Sequence, residues 1–283
     1  MTIKFAHIIN PVVVAECSDL YAAQPVTFES MRLAQAQAEG VATVELYAAQ
    51  FPEDAGLIPS WFTQTRDLDC SVLDFGTFQR SRKLPLIKDI LDRLYEVSQA
   101  DYFIYTNVDI SLQPYFYTVI VQLIEEGYDG MVINRRTIAK VPNNPVQMPL
   151  LWAQIGEDHP GYDCFVFRRD VYPDFQLGTA CIGANWIGRV LLANVCLQAK
   201  KFKIFKDLHL SFHLGDDRSW KIPDFNDYDT HNERQLQKIL EAFEGEGHFE
   251  DRPLLRGFLD EVYRNQGNNR NRHPKRRRWF RCG

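Results

Sequence analysis

An Asn and an Asp, one residue apart, follow an apolar run near the middle of the chain. The segment DYFIYTNVDISL passes from an apolar stretch into Asn107 and Asp109. Side chains two residues apart in an extended segment lie on the same side, so these two are expected to converge on one cation or one ribose. A hard divalent cation that neutralises a diphosphate takes few protein oxygens. The alternative is a strand that ends in an ordinary Asn/Asp turn.

Apolar runs of strand length alternate with segments of helical period through the first half of the chain. This alternation predicts an α/β fold, in which a Rossmann-like, mostly parallel sheet is flanked by helices. Strands are predicted at residues 3–12, 41–48, 70–76, 101–112 and 128–138. Helices are predicted at residues 27–39, 84–100 and 114–127. The ligand crevice of such a sheet lies outside the carboxyl ends of its strands, which is where Asn107 and Asp109 are expected.

Helical period returns near the carboxyl terminus, in residues 229–247 and 253–265. The last stretch, RNRHPKRRRWFRCG, holds seven Lys or Arg residues and no acidic residue. We therefore predict one large domain over residues 1–222, a helical extension over 223–267 and a basic tail over 268–283.

Composition narrows the class of protein. A chain of 283 residues with 45% hydrophobic residues can bury a sizeable core. It shows neither a signal-peptide pattern at its start nor an apolar run long enough to span a membrane. Its six cysteines are far apart and lack metal-ligand spacing, so a reducing cytoplasm is the expected location.

The segment YFIYTNVDISL resembles the DxD segment of GT-A glycosyltransferases, with Asn107 in place of the first Asp. The resemblance implies a single GT-A domain that binds a nucleotide-sugar donor together with Mn²⁺ or Mg²⁺. Asp109 keeps the carboxylate and is the expected metal ligand, because an amide is a poorer ligand for these ions. Asn107 is then expected to orient the ribose or a metal-bound water, and Asn107→Asp is expected to preserve or strengthen metal binding.

A late segment, DLHLSFHLGDDRSWK, resembles the HxxGxxKPW segment of glycogenin-like and lipopolysaccharide galactosyltransferase-like families. Gly215 and Arg218 keep that spacing, with Arg in place of Lys, whereas His213 lies one residue closer to the glycine. The resemblance implies that His213 completes the metal site and that Gly215 and Arg218 hold the donor diphosphate. His209 is the competing candidate for the ligand, and a structural histidine is the alternative for both.

Three other charged residues acquire roles from the GT-A resemblance. Arg80 and Lys88, in FQRSRKLPLIKDIL, are expected to meet the donor phosphate or base, and a solvated basic helix start is the alternative. Asp163 starts the apolar run CFVF and is the acid expected to take a proton from an acceptor hydroxyl. An Asp that caps a strand turn is the alternative for this residue.

The function expected from this resemblance is sugar transfer from a nucleotide-diphosphate sugar to an acceptor. The sequence does not identify the acceptor, and a glycan and a lipid-linked molecule are both candidates. Two rival functions remain: a nucleotidyltransferase, and a GT-A-like protein that binds a glycan or a partner without turnover. The segment NPVVVAECSDL after the first strand has no glycine, whereas nucleotidyltransferases usually carry a Gly-rich loop there.

The basic tail has two interpretations. Its seven cations, with Trp279 and Phe280, suit an anionic surface such as the inner leaflet of a membrane, which would make the protein peripheral there. A disordered, solubilising tail is the alternative. No specific nucleic acid is expected, because the remainder of the chain is acidic.

Overall fold

In a computed structural model, the described part of the chain forms two β-sheets. The structure describes residues 2–139, 147–215, 226–247, 249 and 252–270, with the side chains of 266–270 excepted. The strands are β1 (Ile3–Ile9), β2 (Ala42–Ala48), β3 (Thr63–Gln64), β4 (Tyr102–Thr106), β5 (Ser111–Leu112), β6 (Gly130–Ile133), β7 (Arg136–Ile138), β8 (Glu157–Asp158), β9 (Cys164–Arg168), β10 (Phe202–Phe205) and β11 (Ser211–Leu214).

The larger sheet has seven strands in the order β10-β6-β9-β4-β1-β2-β3. Its central strand, β1, is parallel to both β2 and β4, and β10 is parallel to β6. Among the strands described in this sheet, β9 alone is antiparallel to its neighbours, β4 and β6. The central strands are almost continuously apolar because both faces of the sheet are covered. The predicted α/β class with a mostly parallel sheet is confirmed.

Helices cover both faces of this sheet. The described helices are α1 (Asp19–Gln37), α2 (Ile87–Val97), α3 (Phe116–Glu125), α4 (Met148–Trp152), α5 (Ile187–Gln198), α6 (Asn226–Gly245) and α7 (Pro253–Arg270), and of these the short α4 instead packs against residues of β7 and β11 in the smaller sheet. Buried residues of α1 and α3 share one apolar core, to which Met31 and Ile120 belong. Buried residues of α2, α5, α6 and α7 share a second core, to which Leu94, Leu191 and Leu240 belong.

Two predicted strands each divide between the two sheets. Residues 101–112 form β4, a turn, and then β5, while residues 128–138 form β6, a short crossing, and then β7. The smaller sheet has the order β5-β11-β7-β8, so both chain segments leave the larger sheet at a carboxyl end and enter the smaller one. The polar residues of interest lie in these two crossings.

Two elements differ from the sequence-based prediction. The strand predicted at 70–76 is wrong, because Val72–Asp74 forms a short 3₁₀ helix. Ser71 and Asp74 form a capping box there, which supplies local hydrogen bonds that compete with a strand. The first helix begins earlier than predicted, at Asp19, and contains Pro25 in its interior.

The two carboxyl-terminal helices pack against the larger sheet domain. Leu236 and Phe243 of α6 and Leu259 of α7 belong to the same apolar core as the sheet residue Phe167. Within the described ranges, no helix is long and apolar enough to cross a membrane. Residues 271–283, which include most of the basic tail, lie outside the described part of the chain.

Candidate functional site

Three chain segments meet at the carboxyl edge of the larger sheet. Thr106, the last residue of β4, pairs with Cys164, the first residue of β9, and Ile133 at the end of β6 pairs with Cys164 from the other side. The polar residues next to these strand ends are therefore neighbours. Among them are Asn107 and Asp163, which are also joined by a hydrogen bond from the Asn107 amide to the Asp163 carbonyl.

Asp109 and His213 meet between the two sheets. Asp109 lies in the turn before β5, and His213 lies in β11, which pairs with β5. His213 Nε2 lies 3.1 Å from Asp109 Oδ2, and the two side chains are only 14% and 24% exposed. His209 instead places its Nε2 atom 2.9 Å from Gln113 Nε2. The fold thus brings His213, rather than His209, to Asp109.

The imidazole of His213 is held by its second nitrogen. Nδ1 lies 2.7 Å from the carbonyl oxygen of Gly215, and a carbonyl oxygen only accepts, so Nδ1 carries a proton. Gly215 has a φ of 73°, a left-handed conformation in which a side chain would be strained. This turn directs the Gly215 carbonyl to the ring and leaves Nε2 to face Asp109.

Burial and charge act in opposite directions on this pair. Burial by itself would raise the pKa of Asp109, but the hydrogen bond and charge of His213, together with the charge of Arg135, hold that pKa below its ordinary value. Burial by itself would lower the pKa of His213, but the hydrogen bond and negative charge of Asp109 raise it. The two groups therefore stabilise each other's charged forms.

The pair fits a divalent cation in its donor types. It offers one carboxylate and one imidazole, and the other imidazole nitrogen is fixed by a backbone carbonyl, as is usual for metal-binding histidines. No cluster of three or more His, Cys, Asp or Glu side chains suited to a metal occurs in the described ranges. A hard divalent cation held by these two side chains could take phosphate oxygens and water as further ligands.

The side chain of Asn107 forms its hydrogen bonds outside this pair. The predicted extended geometry is wrong, because residues 107–110 form a turn closed by a hydrogen bond from the Ile110 amide to the Asn107 carbonyl. The Asn107 side chain donates from Nδ2 to Asp163 Oδ1 at 3.2 Å. Its Oδ1 accepts from the Tyr105 hydroxyl at 3.0 Å. Since a carboxylate accepts and does not donate, these partners fix the orientation of the amide.

Asp163 is held by an arginine that the sequence reasoning missed. Arg135 Nη1 donates to Asp163 Oδ2 at 2.5 Å, and both side chains are about nine-tenths buried, with 12% and 11% exposed. With Asn107 on Oδ1, both oxygens of the predicted base are engaged. Arg135 directly follows the buried run GMVI and Asn134. Polar residues directly after a strand are the same sequence pattern that identified Asn107.

Three further residues are predicted to bind the nucleotide-sugar donor: Arg80, Lys88 and Arg218. Lys88 forms an ion pair with Asp92 one turn along α2, with a side chain that is half exposed. The carbonyl of Arg80 accepts a hydrogen bond from Tyr228 at the start of α6, at 2.6 Å. Arg218 lies outside the described residues. The roles of these three residues stay predictions.

The fold is similar to that of solved structures, one of which contains a nucleotide sugar. A crystal structure of S. aureus TarS, residues 1–349, in complex with UDP-GlcNAc matches with a TM-score of 0.56 at 8% identity, over 96% of this chain and 77% of that chain. The chain has a GT-A-type fold. A second crystal structure of the same TarS fragment matches with a TM-score of 0.54 at 9% identity, over 98% of this chain and 76% of that chain.

Sequence comparisons add no closer relationship. No protein-family model matches the chain, and no curated protein matches it. The GT-A-type fold therefore rests on the three-dimensional likeness together with the strand order described above.

Proposed function

We propose that the protein is a metal-dependent glycosyltransferase that uses a nucleotide-diphosphate sugar as its donor. The observation that carries this proposal is the meeting of Asp109 and His213 at the carboxyl edge of the sheet in a GT-A-type fold. Ligands of open α/β sheets bind at this edge. That the TarS fragment of the same fold holds UDP-GlcNAc supports a nucleotide-sugar ligand.

In this proposal, Asp109 and His213 hold Mn²⁺ or Mg²⁺ between them. The bound cation would offset the negative charge that develops on the leaving nucleoside diphosphate. Gly215 fixes the imidazole through its carbonyl oxygen, and Tyr105 and Asp163 fix the amide of Asn107. Transfer of the sugar requires this fixed arrangement of side chains, because a misplaced donor loses much of the rate enhancement that correct positioning provides.

Donor binding without turnover is a second candidate, and the contacts of Asp163 favour it. A general base needs an oxygen within reach of the acceptor hydroxyl. Both oxygens of Asp163 are already engaged, one by Asn107 and one by Arg135. For transfer to occur through Asp163, an acceptor hydroxyl must share or displace one of these contacts.

One experiment tests both candidates. The purified protein is incubated with a panel of nucleotide-sugars, starting with UDP-sugars, with Mn²⁺ or with chelator, and release of nucleoside diphosphate is measured. We expect Mn²⁺-stimulated release, and Asp109→Asn is expected to abolish it while the far-UV circular dichroism stays unchanged. Calorimetric binding of the donor without release supports the second candidate instead. Equal release in chelator, or full metal-stimulated release by Asp109→Asn, contradicts the proposed mechanism.

A further inference from the structure

Arg135 is a cation at the site whose hydrogen-bonding capacity is largely unused. A guanidinium offers five N–H donors in a rigid fork. In the structure, one of them reaches Asp163, whereas the Nε atom is buried and has no hydrogen-bond partner within the described ranges. Buried donors in folded proteins are normally paired, so an arginine used in this way is a candidate for a ligand contact.

The backbone places this arginine at the junction of the two sheets. Arg135 lies between β6 and β7, and its side chain reaches Asp163, the residue before β9, at the carboxyl edge. It also lies close enough to Asp109 and His213 for its charge to act on both groups. This cation therefore lies at the same edge of the sheet as Asn107, whose side chain also contacts Asp163.

We propose that Arg135 is a second anion-binding group of the site, which takes a phosphate oxygen of the donor diphosphate independently of the cation, and that Asp163 occupies the guanidinium when the donor is absent. This inference rests on the proposed function, because the diphosphate is the anion expected at this edge. A planar guanidinium suits phosphate oxygens, with which it can form two parallel hydrogen bonds.

The test measures the affinity for inorganic pyrophosphate in excess EDTA, by NMR titration, because this probe contains neither the base nor the sugar. The Arg135→Ala/Asp163→Asn double variant removes both charges, so no unpaired buried charge is left to unfold the protein. It is expected to lose about 10- to 100-fold in affinity, the usual range for a charge-assisted hydrogen bond. Asp163→Asn alone is expected to bind pyrophosphate several-fold more tightly, because the competing carboxylate is gone.

The opposite end of the same strand supplies the matched control. Arg168 and Asp170 form a more exposed ion pair, with side chains 37% and 59% exposed, where β9 ends, away from the carboxyl edge. The Arg168→Ala/Asp170→Asn variant is expected to bind pyrophosphate like the wild type, which shows that loss of an ion pair alone does not change affinity.

Three results overturn the inference: absence of pyrophosphate binding by the wild type in EDTA, unchanged affinity in the Arg135→Ala/Asp163→Asn variant, or weaker binding by Asp163→Asn when its far-UV circular dichroism matches that of the wild type. None of these results bears on the cation. Mn²⁺-stimulated release of nucleoside diphosphate by the wild type, and its loss in Asp109→Asn, decides the proposed function separately. Failure of the arginine subsite and failure of the glycosyltransferase proposal are therefore distinguishable.

Discussion

The contacts of Asn107 allow a quantitative prediction for Asn107→Asp. The substitution replaces an amide that donates to Asp163 Oδ1 at 3.2 Å with a second carboxylate. Two like charges about 4 Å apart at an effective dielectric constant of about 20 repel by about 4 kcal/mol. The Arg135 guanidinium, already bonded to Asp163, offsets part of this repulsion. We therefore expect the free energy of unfolding at pH 7 to fall by about 2–3 kcal/mol.

This loss should depend on pH in a defined direction. Repulsion raises the pKa of the paired carboxyls in the folded variant above that in the unfolded chain, so the folded variant binds more protons. Its stability relative to the wild type should therefore recover as pH falls from 7 towards 5. Urea unfolding in EDTA at the two pH values measures this recovery.

Two variants separate charge from the loss of hydrogen bonds. Asn107→Ser removes the amide without adding charge and should lose only about 1 kcal/mol at both pH values. The Asn107→Asp/Asp163→Asn swap restores one carboxylate and one amide, and most of the stability should return. The reasoning is refuted if Asn107→Asp is as stable as the wild type at pH 7, or if the swap recovers nothing.

The same variant distinguishes the sequence-based expectation for metal binding from the structural one. The sequence predicts that Asn107→Asp preserves or strengthens metal binding. Because the side chain at 107 faces Asp163 rather than the Asp109–His213 pair, we now expect no strengthening. Thermal stabilisation by Mn²⁺ should therefore be no larger in the variant than in the wild type.

Three other regions give further predictions. His7 is fully buried between Tyr117 and Thr106, and this burial lowers its pKa to about 3. Because the unfolded chain then binds a proton that the folded protein does not, the free energy of unfolding of the wild type should fall by about 1.4 kcal/mol per pH unit below about pH 6. The deficit of His7→Gln in urea unfolding should accordingly shrink between pH 7 and 5. Phe243→Ala in α6 should lower the free energy of unfolding by about 3–5 kcal/mol, and a separate transition for the helical extension would contradict its packing in the shared core. Deletion of residues 268–283 should abolish sedimentation of the protein with anionic vesicles. Equal binding by the intact and the truncated protein would exclude the membrane-surface interpretation of the basic tail.

Local sequence patterns were sufficient to predict much of the fold. Apolar runs and helical periods identified the βα alternation, because burial on both sheet faces leaves a continuous apolar signature within each strand. The strand predicted at 70–76 failed because a capping box satisfied the backbone locally. Such short-range hydrogen bonds compete with strand pairing, and composition alone does not show which of them prevails.

The sequence by itself determined that Asp109 follows a buried strand and that His213 is a candidate partner, since both residues stand in recognisable segments. Only the tertiary structure decided that His213, and not His209, faces Asp109, because the pairing of β5 with β11 sets that register. The ion pair of Arg135 with Asp163 likewise depends on the antiparallel pairing of β6 with β9. Contacts between residues far apart in sequence follow from strand order and register, which no local pattern encodes.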